Sequence, residues 1–426
     1  MKEIKRQYYV FCSMISCVIL LVFFISTLRA EEIVYPTSAY SKDELAKVRE
    51  WEKNWAGKNL DKTNVDQVAE FLPESYVDIY KNPEKWGAPP GENITSILVP
   101  YQQIIETKGM IEATKKYAPL VKTNLDGSIA NYGEIAGVPY PAPKTGIEIA
   151  WNMDFNNHGD TEHYMRDGPN INPKQRTERS SKQEQWYLTF MHRTEMDPKP
   201  VLPTKKGILR GTFVHMYEPP EFINTRYYNL RFMDTAKDDM TYFWYAQFRR
   251  IRRLSTTQRT DSIDGTDLIY DDEFFWDGHI TRNTYTHKGK KDLLCCRHQD
   301  VSKFNRPNGQ IMSNDLMLER LNTLVVDVFN KDPSYLYSKR IWYVDPETYI
   351  ILWTEIYDQK GRFWKCFMQN TGNNKTALGE TKNNIVGSVF VDYQRTHGGH
   401  STNKIKGVSV ELDTKMFSIT NLQRTY

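Results

Sequence analysis

Apolar residues recur at helical spacing in the first part of this chain and at a spacing of two in most of the rest. Leu45, Val48, Trp51 and Trp55 follow Ser41, a residue suited to cap a helix. Asn64 opens a second run, Val65, Val68, Ala69, Phe71 and Leu72, which Pro73 ends, and Tyr76 to Tyr80 gives a third before Asn82-Pro83. These patterns predict helices over 42–85, a loop through Gly87, Pro89, Pro90 and Gly91, and another helix over 106–120. From about residue 145 the period becomes two, beginning with Ile147, Ile149 and Trp151 between Glu148 and Ala150. Further strands are predicted at Gln185–Thr194, Ile208–Tyr217, Phe222–Phe232, Thr241–Gln247 and Ile341–Val344. Four more follow at Ile350–Tyr357, Phe363–Gln369, Val386–Tyr393 and Lys406–Leu412. Turn residues separate them, as at Pro219-Pro220, Asp345-Pro346-Glu347 and Gln359-Lys360-Gly361. Asp315–Asn330 has Leu316, Leu318, Leu321, Leu324, Val325 and Val328, which predicts an amphipathic helix, and polar 155–182 is predicted to be a long exposed loop.

The strands mostly follow one another by short turns, which predicts an antiparallel meander curling into a barrel or half-barrel. Several carry large groups on both faces: Trp186-Tyr187-Leu188, Tyr242-Phe243-Trp244-Tyr245 and Ile350-Ile351-Leu352-Trp353. Two readings fit. Either the strands are buried on both faces, or one face meets a helix or a ligand in a half-open sheet. The domain organisation read here is a leader over 1–30, an N-terminal helical segment over 31–105, and a half-barrel domain over 106–426 with an inserted helix near 315–330.

Composition adds a compartment. Lys2, Lys5 and Arg6 precede a charge-free apolar run from Gln7 to Leu28, which ends at Leu28-Arg29-Ala30 before Glu31-Glu32. This reads as a secretory signal cleaved after Ala30, or as an uncleaved anchor, since the run is long enough to span a bilayer. Lipidation at Cys17 is a third reading, opposed by the apolar residues that continue to Phe24. In each case the body is exported. Those first thirty residues account for the whole net charge of +3, so the body is neutral and gives no electrostatic reason to bind nucleic acid. Aromatic residues make up 13% of the chain, which suits strands and surfaces greasy on one side and wet on the other.

Candidate chemistry is sparse. Cys295, Cys296 and Cys366 allow one disulfide, from Cys366 to either neighbour, but no disulfide framework. His397-Gly398-Gly399-His400 and Cys295-Cys296-Arg297-His298 carry metal-binding residue types without a second ligand pair, and both read as surface loops. No nucleophile elbow, phosphate-binding loop or zinc-protease motif occurs, so no catalytic residue, metal or cofactor is expected. Arg249, Arg250, Arg252 and Arg253 form a dense basic cluster. They read as partners of Asp261, Asp264, Asp267, Asp271 and Asp272 downstream, or as a basic rim facing anionic head groups or an acidic partner.

Three blocks carry a family resemblance. The first is Gly137-Val138-Pro139-Tyr140-Pro141 followed by Gly146 to Asn152. The second is Phe248 to Leu254 with Arg259, then Gly265-Thr266-Asp267-Leu268 and Tyr270-Asp271-Asp272. The third is Lys339 to Pro346 with Tyr357 to Lys365. Together they resemble the domain of unknown function 1329 family, whose members are similar to outer-membrane lipoprotein-sorting proteins. The resemblance covers about residues 65–422. It implies a mainly β (α+β), Lol-type fold: an antiparallel half-open barrel wrapped around helices with an apolar cavity between. It implies a carrier of a lipid or other hydrophobic molecule in the periplasm or at the outer-membrane periphery, with an envelope transporter or outer-membrane protein as partner. Strand position selects Trp151, Trp186, Phe213, Tyr228, Trp244 and Trp353 as candidate cavity lining. A non-catalytic scaffold subunit of an envelope export system and an envelope hydrolase acting on a hydrophobic substrate remain as alternatives.

Overall fold

The computed structural model describes residue 35 and residues 38–423, apart from 157–158, 173, 175, 205–206, 236, 255–258, 264, 305–306 and 308. The basic and apolar run over residues 1–30, predicted as a leader, therefore lies outside the described residues. Among those described, no helix is long and apolar enough to cross a membrane.

The N-terminal helices form where the apolar spacing places them. Helix α1, Lys42–Trp55, starts on a capping box: Ser41 accepts from the Glu44 amide, and the Glu44 carboxylate accepts from the Ser41 amide at 2.7 Å. After strand β1, Asn59–Leu60, a 3₁₀ helix spans Val65–Phe71, and α2 spans Glu74–Lys81. Strand β2, Ser96–Leu98, and helix α3, Lys108–Tyr117, follow. Helix α4 is Gly146–Phe155, where period-two spacing predicts a strand. Thr145 and Glu148 make a second capping box there, and this local signal outweighs the alternation of Ile147, Ile149 and Trp151.

The segment predicted as a polar loop is a hairpin, β3 (Thr161–Ile171) and β4 (Thr177–Thr189), whose registered pairing satisfies its backbone despite its polar side chains. Strands β5 (Ile208–Glu218), β6 (Arg226–Phe232), β7 (Met240–Tyr245) and β8 (Arg250–Leu254) continue it. The meander resumes with β9 (Asn283–Cys295), a strand the polar alternation of its sequence hides. Strand β10 is Leu316–Asn330, the stretch predicted as an inserted helix. It lies between β9 and β11 and shifts register at Val325/Val326, so its apolar positions lose strict alternation and mimic a helical stripe. Its Thr323, Val325, Val326 and Val328 favour extended backbone. The sheet is completed by β11 (Lys339–Val344), β12 (Ile351–Tyr357), β13 (Phe363–Lys375), β14 (Thr381–Asp392) and β15 (His397–Val408). A short helix, α5 (Ile419–Leu422), ends the described chain.

These strands make one open sheet, ordered β1-β2-β10-β11-β12-β13-β14-β15-β3-β4-β5-β6-β7-β8, with β9 paired to β10. Strand β15 begins nine residues before its predicted start, so His397 and His400 are buried strand residues rather than a surface loop. Gly398 and Gly399 permit this. A Cβ on Gly398 would lie 2.2 Å from the Phe390 carbonyl oxygen, and one on Gly399 2.5 Å from that of Pro169. The Cys295–His298 stretch is likewise not a surface loop. Cys295, Cys296 and Cys366 are free and buried. Buried Arg297 donates to Asp345 at 2.9 Å and to Glu347, whose carboxylate also accepts from Tyr101 and the Ala39 and Ile104 amides. That cluster ties the N-terminal segment to the sheet.

One face of β9–β14 packs against the N-terminal helices. Val48, Phe71, Tyr76, Ile79 and Tyr80 join Leu293, Leu321, Trp353, Met368 and Val389 in a continuous apolar core. The same face of β4–β7 is covered by the C-terminal segment, where Phe417 and Leu422 pack on Leu188, Phe213, Tyr228 and Leu230.

Candidate functional site

The opposite face of the sheet curls around an inner segment, the described residues of 259–282. Glu273 pairs with Arg166 of β3 at 2.7 Å, and Phe274 packs edge-on against Tyr187 of β4. Asp277 faces Arg210 of β5 at 2.5 Å and Arg231 of β6 at 2.9 Å. The same short segment reaches the far half of the sheet. Asp272 pairs with Arg340 of β11 at 2.5 Å, Phe275 packs on Phe367 of β13, and Trp276 on Trp342 of β11. Strands β6 and β11 are widely separated in sheet order. Both touch one run of six residues, so this face is concave and the segment sits in its chamber. Helix α4 closes the chamber beside it, with Asp154 3.4 Å from Arg210.

The inner segment is held by a buried ion cluster. Arg231 donates to Asp239 at 2.8 Å, and Arg259 pairs with Asp239 at 2.8 Å, with Asp271, and with Asp277 at 3.3 Å. Burial alone would raise the Asp239 and Asp277 carboxyls, but the surrounding guanidiniums outweigh it and hold both below the ordinary aspartate range. Burial and the Arg231 charge push His279 down to about 4, so it is neutral beside them at pH 7. His192, stacked on Phe155, is also pushed down to about 4 by burial. These groups hold structure together.

Between α4, the inner segment and the sheet lies a cavity of about 60 Å³, lined by Met153, Phe274, Trp276, Ile351 and Ile385 on its apolar side and by Asp154, Arg210 and Asp277 on its polar side. A drug-sized ligand needs roughly 300–1,000 Å³. Phe274, Phe275 and Trp276 pack onto the concave face, and the space beside them is far smaller than that. Phe274 (φ 51°) and Phe275 (φ 67°) are both left-handed, a conformation bulky side chains rarely adopt.

The lining residues selected by strand position are placed elsewhere. Trp186, Phe213 and Tyr228 stand in register across β4, β5 and β6, with Trp244 beside them on β7. Tyr187, the next residue after Trp186, lines the cavity, so this aromatic row points to the outer face and lies under the C-terminal segment. Trp353 packs against Tyr76 of α2 and donates to the Leu294 carbonyl at 3.0 Å. Trp151 belongs to α4 and donates to the Gly127 carbonyl at 2.9 Å. None of the six lines the cavity. Phe274, Phe275 and Trp276 carried a visible signal, three consecutive aromatics after an acidic run, which period-two reasoning passes over.

The arginine cluster also differs from its expected pairing. Asp267 pairs with His397 and Arg395, Asp271 with Arg259 and Asp272 with Arg340. Asp264 lies outside the described residues, and among those described none of the four arginines makes an ion pair. Arg249 closes a 3₁₀ turn in a left-handed conformation, while Arg250, Arg252 and Arg253 are exposed on β8, the free edge of the sheet. Charge on an edge strand opposes uncontrolled strand pairing.

A putative outer membrane lipoprotein-sorting protein domain from Vibrio parahaemolyticus is 14% identical with a TM-score of 0.46, covering 66% of this chain and 98% of that one. A DUF1329 family protein from Desulfovibrio piger is 15% identical with a TM-score of 0.45, covering 65% and 97%. A LolA superfamily protein from Nitrosomonas europaea is 13% identical with a TM-score of 0.37, covering 66% and 100%. No curated protein sequence matches the chain significantly. The family model described as protein of unknown function (DUF1329) matches residues 59–423, most of the chain, and the chain therefore belongs to that family.

Proposed function

We propose that this protein is exported to the envelope and reversibly holds a lipid or other hydrophobic molecule in the chamber now filled by Phe274, Phe275 and Trp276, without making or breaking bonds. The observation that carries this reading is the strained aromatic plug. Left-handed conformations at two consecutive bulky residues cost on the order of 1–3 kcal/mol each and persist where the surroundings impose them. Their side chains cover an aromatic and aliphatic wall, Tyr187, Trp342, Ile351, Phe367 and Ile385, that a hydrocarbon chain could cover instead. Each methylene buried contributes about 0.8 kcal/mol, so a chain of roughly ten carbons offsets a plug displacement of several kcal/mol. The basic, apolar and polar order of residues 1–32 supports export, with the body working in the periplasm or at the outer-membrane periphery. An envelope transporter or outer-membrane protein would then receive or supply the cargo.

Native mass spectrometry of the full chain, with titration by dodecanol, tests the reading. Lipid-sized adducts on the purified protein and saturable dodecanol binding, strengthened by Phe274→Ala, are expected. Failure of wild type and folded plug variants alike to bind would overturn it. A non-catalytic scaffold subunit is the second reading, and the filled chamber is the observation that favours it.

A further inference from the structure

Two overlapping cavities lie beside the segment that carries the plug. An open groove of about 700 Å³ lies at the start of β4, lined by Glu178, Arg179, Glu218, Arg395 and His397 among others. It shares Asn170, Arg179 and Pro219 with a smaller cavity of about 60 Å³. The walls of the smaller cavity become apolar at Ile263, Leu268 and Phe390, and it also reaches Glu273, the residue before Phe274. Phe274 lines the chamber cavity beyond. The smaller cavity is more apolar than the groove, although Arg166, Gln183 and His400 also line it.

The cations at the mouth are held unequally on their two sides. His397 meets buried Asp267 through Nδ1 and Glu178 through Nε2 at 2.9 Å. Arg395 lies 3.5 Å from the same Asp267, and Arg179 lies 2.7 Å from Glu221. Asp267 is 1% exposed, whereas Glu178 and Glu221 are 57% and 56% exposed. The buried carboxylate fixes the orientation of His397 and Arg395. The two exposed ones make ion pairs of the kind worth about 0–1 kcal/mol, which another anion can replace. Hydrogen bonds from the ring to the Asp267 and Glu178 carboxylates outweigh burial and raise the His397 pKa above its ordinary value, which favours the cationic ring.

The geometry points to a head-group site at this mouth: Arg179, Arg395 and His397 bind the carboxylate or phosphate of a single-chain anionic amphiphile, whose hydrocarbon runs past Ile263, Leu268 and Phe390 to the plug. This names the cargo class of the proposed function and rests on that reading.

The test titrates the full chain with dodecanoate, dodecanol and inorganic phosphate, below micelle-forming concentrations. Dodecanoate is expected to bind about tenfold tighter than dodecanol, the scale of one charge-assisted hydrogen bond at a partly exposed site. Arg395→Gln, at a side chain 66% exposed, should erase that advantage without changing dodecanol binding. Glu178→Gln, which removes the competing carboxylate, should tighten dodecanoate several-fold, an effect a purely structural role would not produce. Equal affinities for the two chains in all variants overturn the head-group site and leave the chamber reading standing. Binding of neither chain overturns the chamber reading and this inference with it. Phosphate competing as strongly as dodecanoate overturns the amphiphile and reduces the mouth to a small-anion site.

Discussion

Replacing Asp277 by Asn weakens the grip of the inner segment without stranding a charge. Its carboxylate faces Arg210 at 2.5 Å, Arg231 at 2.9 Å and Arg259 at 3.3 Å. Each guanidinium keeps another partner: Asp154 for Arg210, Asp239 for Arg231, and Asp239 with Asp271 for Arg259. The penalty of roughly 3–5 kcal/mol for an uncompensated buried charge therefore does not apply. What is lost is a set of charge-assisted hydrogen bonds to a carboxylate 24% exposed, about 2 kcal/mol. If that loss falls on the closed position of residues 259–282, the open population rises about 30-fold. The apparent affinity of a ligand that binds only the open form rises by the same factor while the closed form still dominates. Denaturant unfolding gives the stability change, and dodecanol titration gives the affinity. A variant that loses about 2 kcal/mol yet binds dodecanol no better than wild type refutes the coupling between plug and ligand.

Other perturbations separate the parts of the fold. Trp244→Arg, on the outer face, should leave dodecanol affinity within about twofold of wild type, an outcome the same titration reads. Gly398→Ala forces a Cβ against the Phe390 carbonyl, and a fall in melting temperature of several degrees is expected, the scale of about 1–3 kcal/mol. Trp353→Ala empties a fully buried site in the core beneath α2 and should cost about 3–5 kcal/mol by denaturant unfolding. His397 is faced by Asp267, Glu178, Arg395, Lys365 and Asp392, and its folded-state pKa is raised. Its stabilisation is thus complete below the ordinary imidazole value of about 6.5 and is lost as pH rises through the folded value. Melting curves from pH 6.5 to 9 should show that loss, and His397→Gln should make it smaller.

The sheet was legible where one side of a strand is wet or a turn residue marks its end. Strands β5, β7, β11 and β12 fall within a few residues of their predicted limits. Legibility failed for two physical reasons. Strand β10 is covered on both sides and shifts register, so no clean alternation survives, and the β3–β4 hairpin is held by backbone pairing that its polar side chains do not advertise. Helix α4 shows the converse, a capping box at Thr145 and Glu148 overriding an alternating run. The chamber was hidden because its filling comes from residues 273–277, far in sequence from the strands they touch. Alternation says that Trp186 and Tyr187 face opposite ways, but not which way is concave. Only the contact of one segment with both halves of the sheet decides that.

Hydrogen exchange across residues 259–282, measured with and without saturating dodecanol, tests the exchange of plug for ligand most directly. The account predicts that these amides lose protection when dodecanol binds while β3–β6 and β11–β13 keep theirs. Dodecanol binding that leaves the protection of 259–282 unchanged would place the ligand elsewhere and contradict the account.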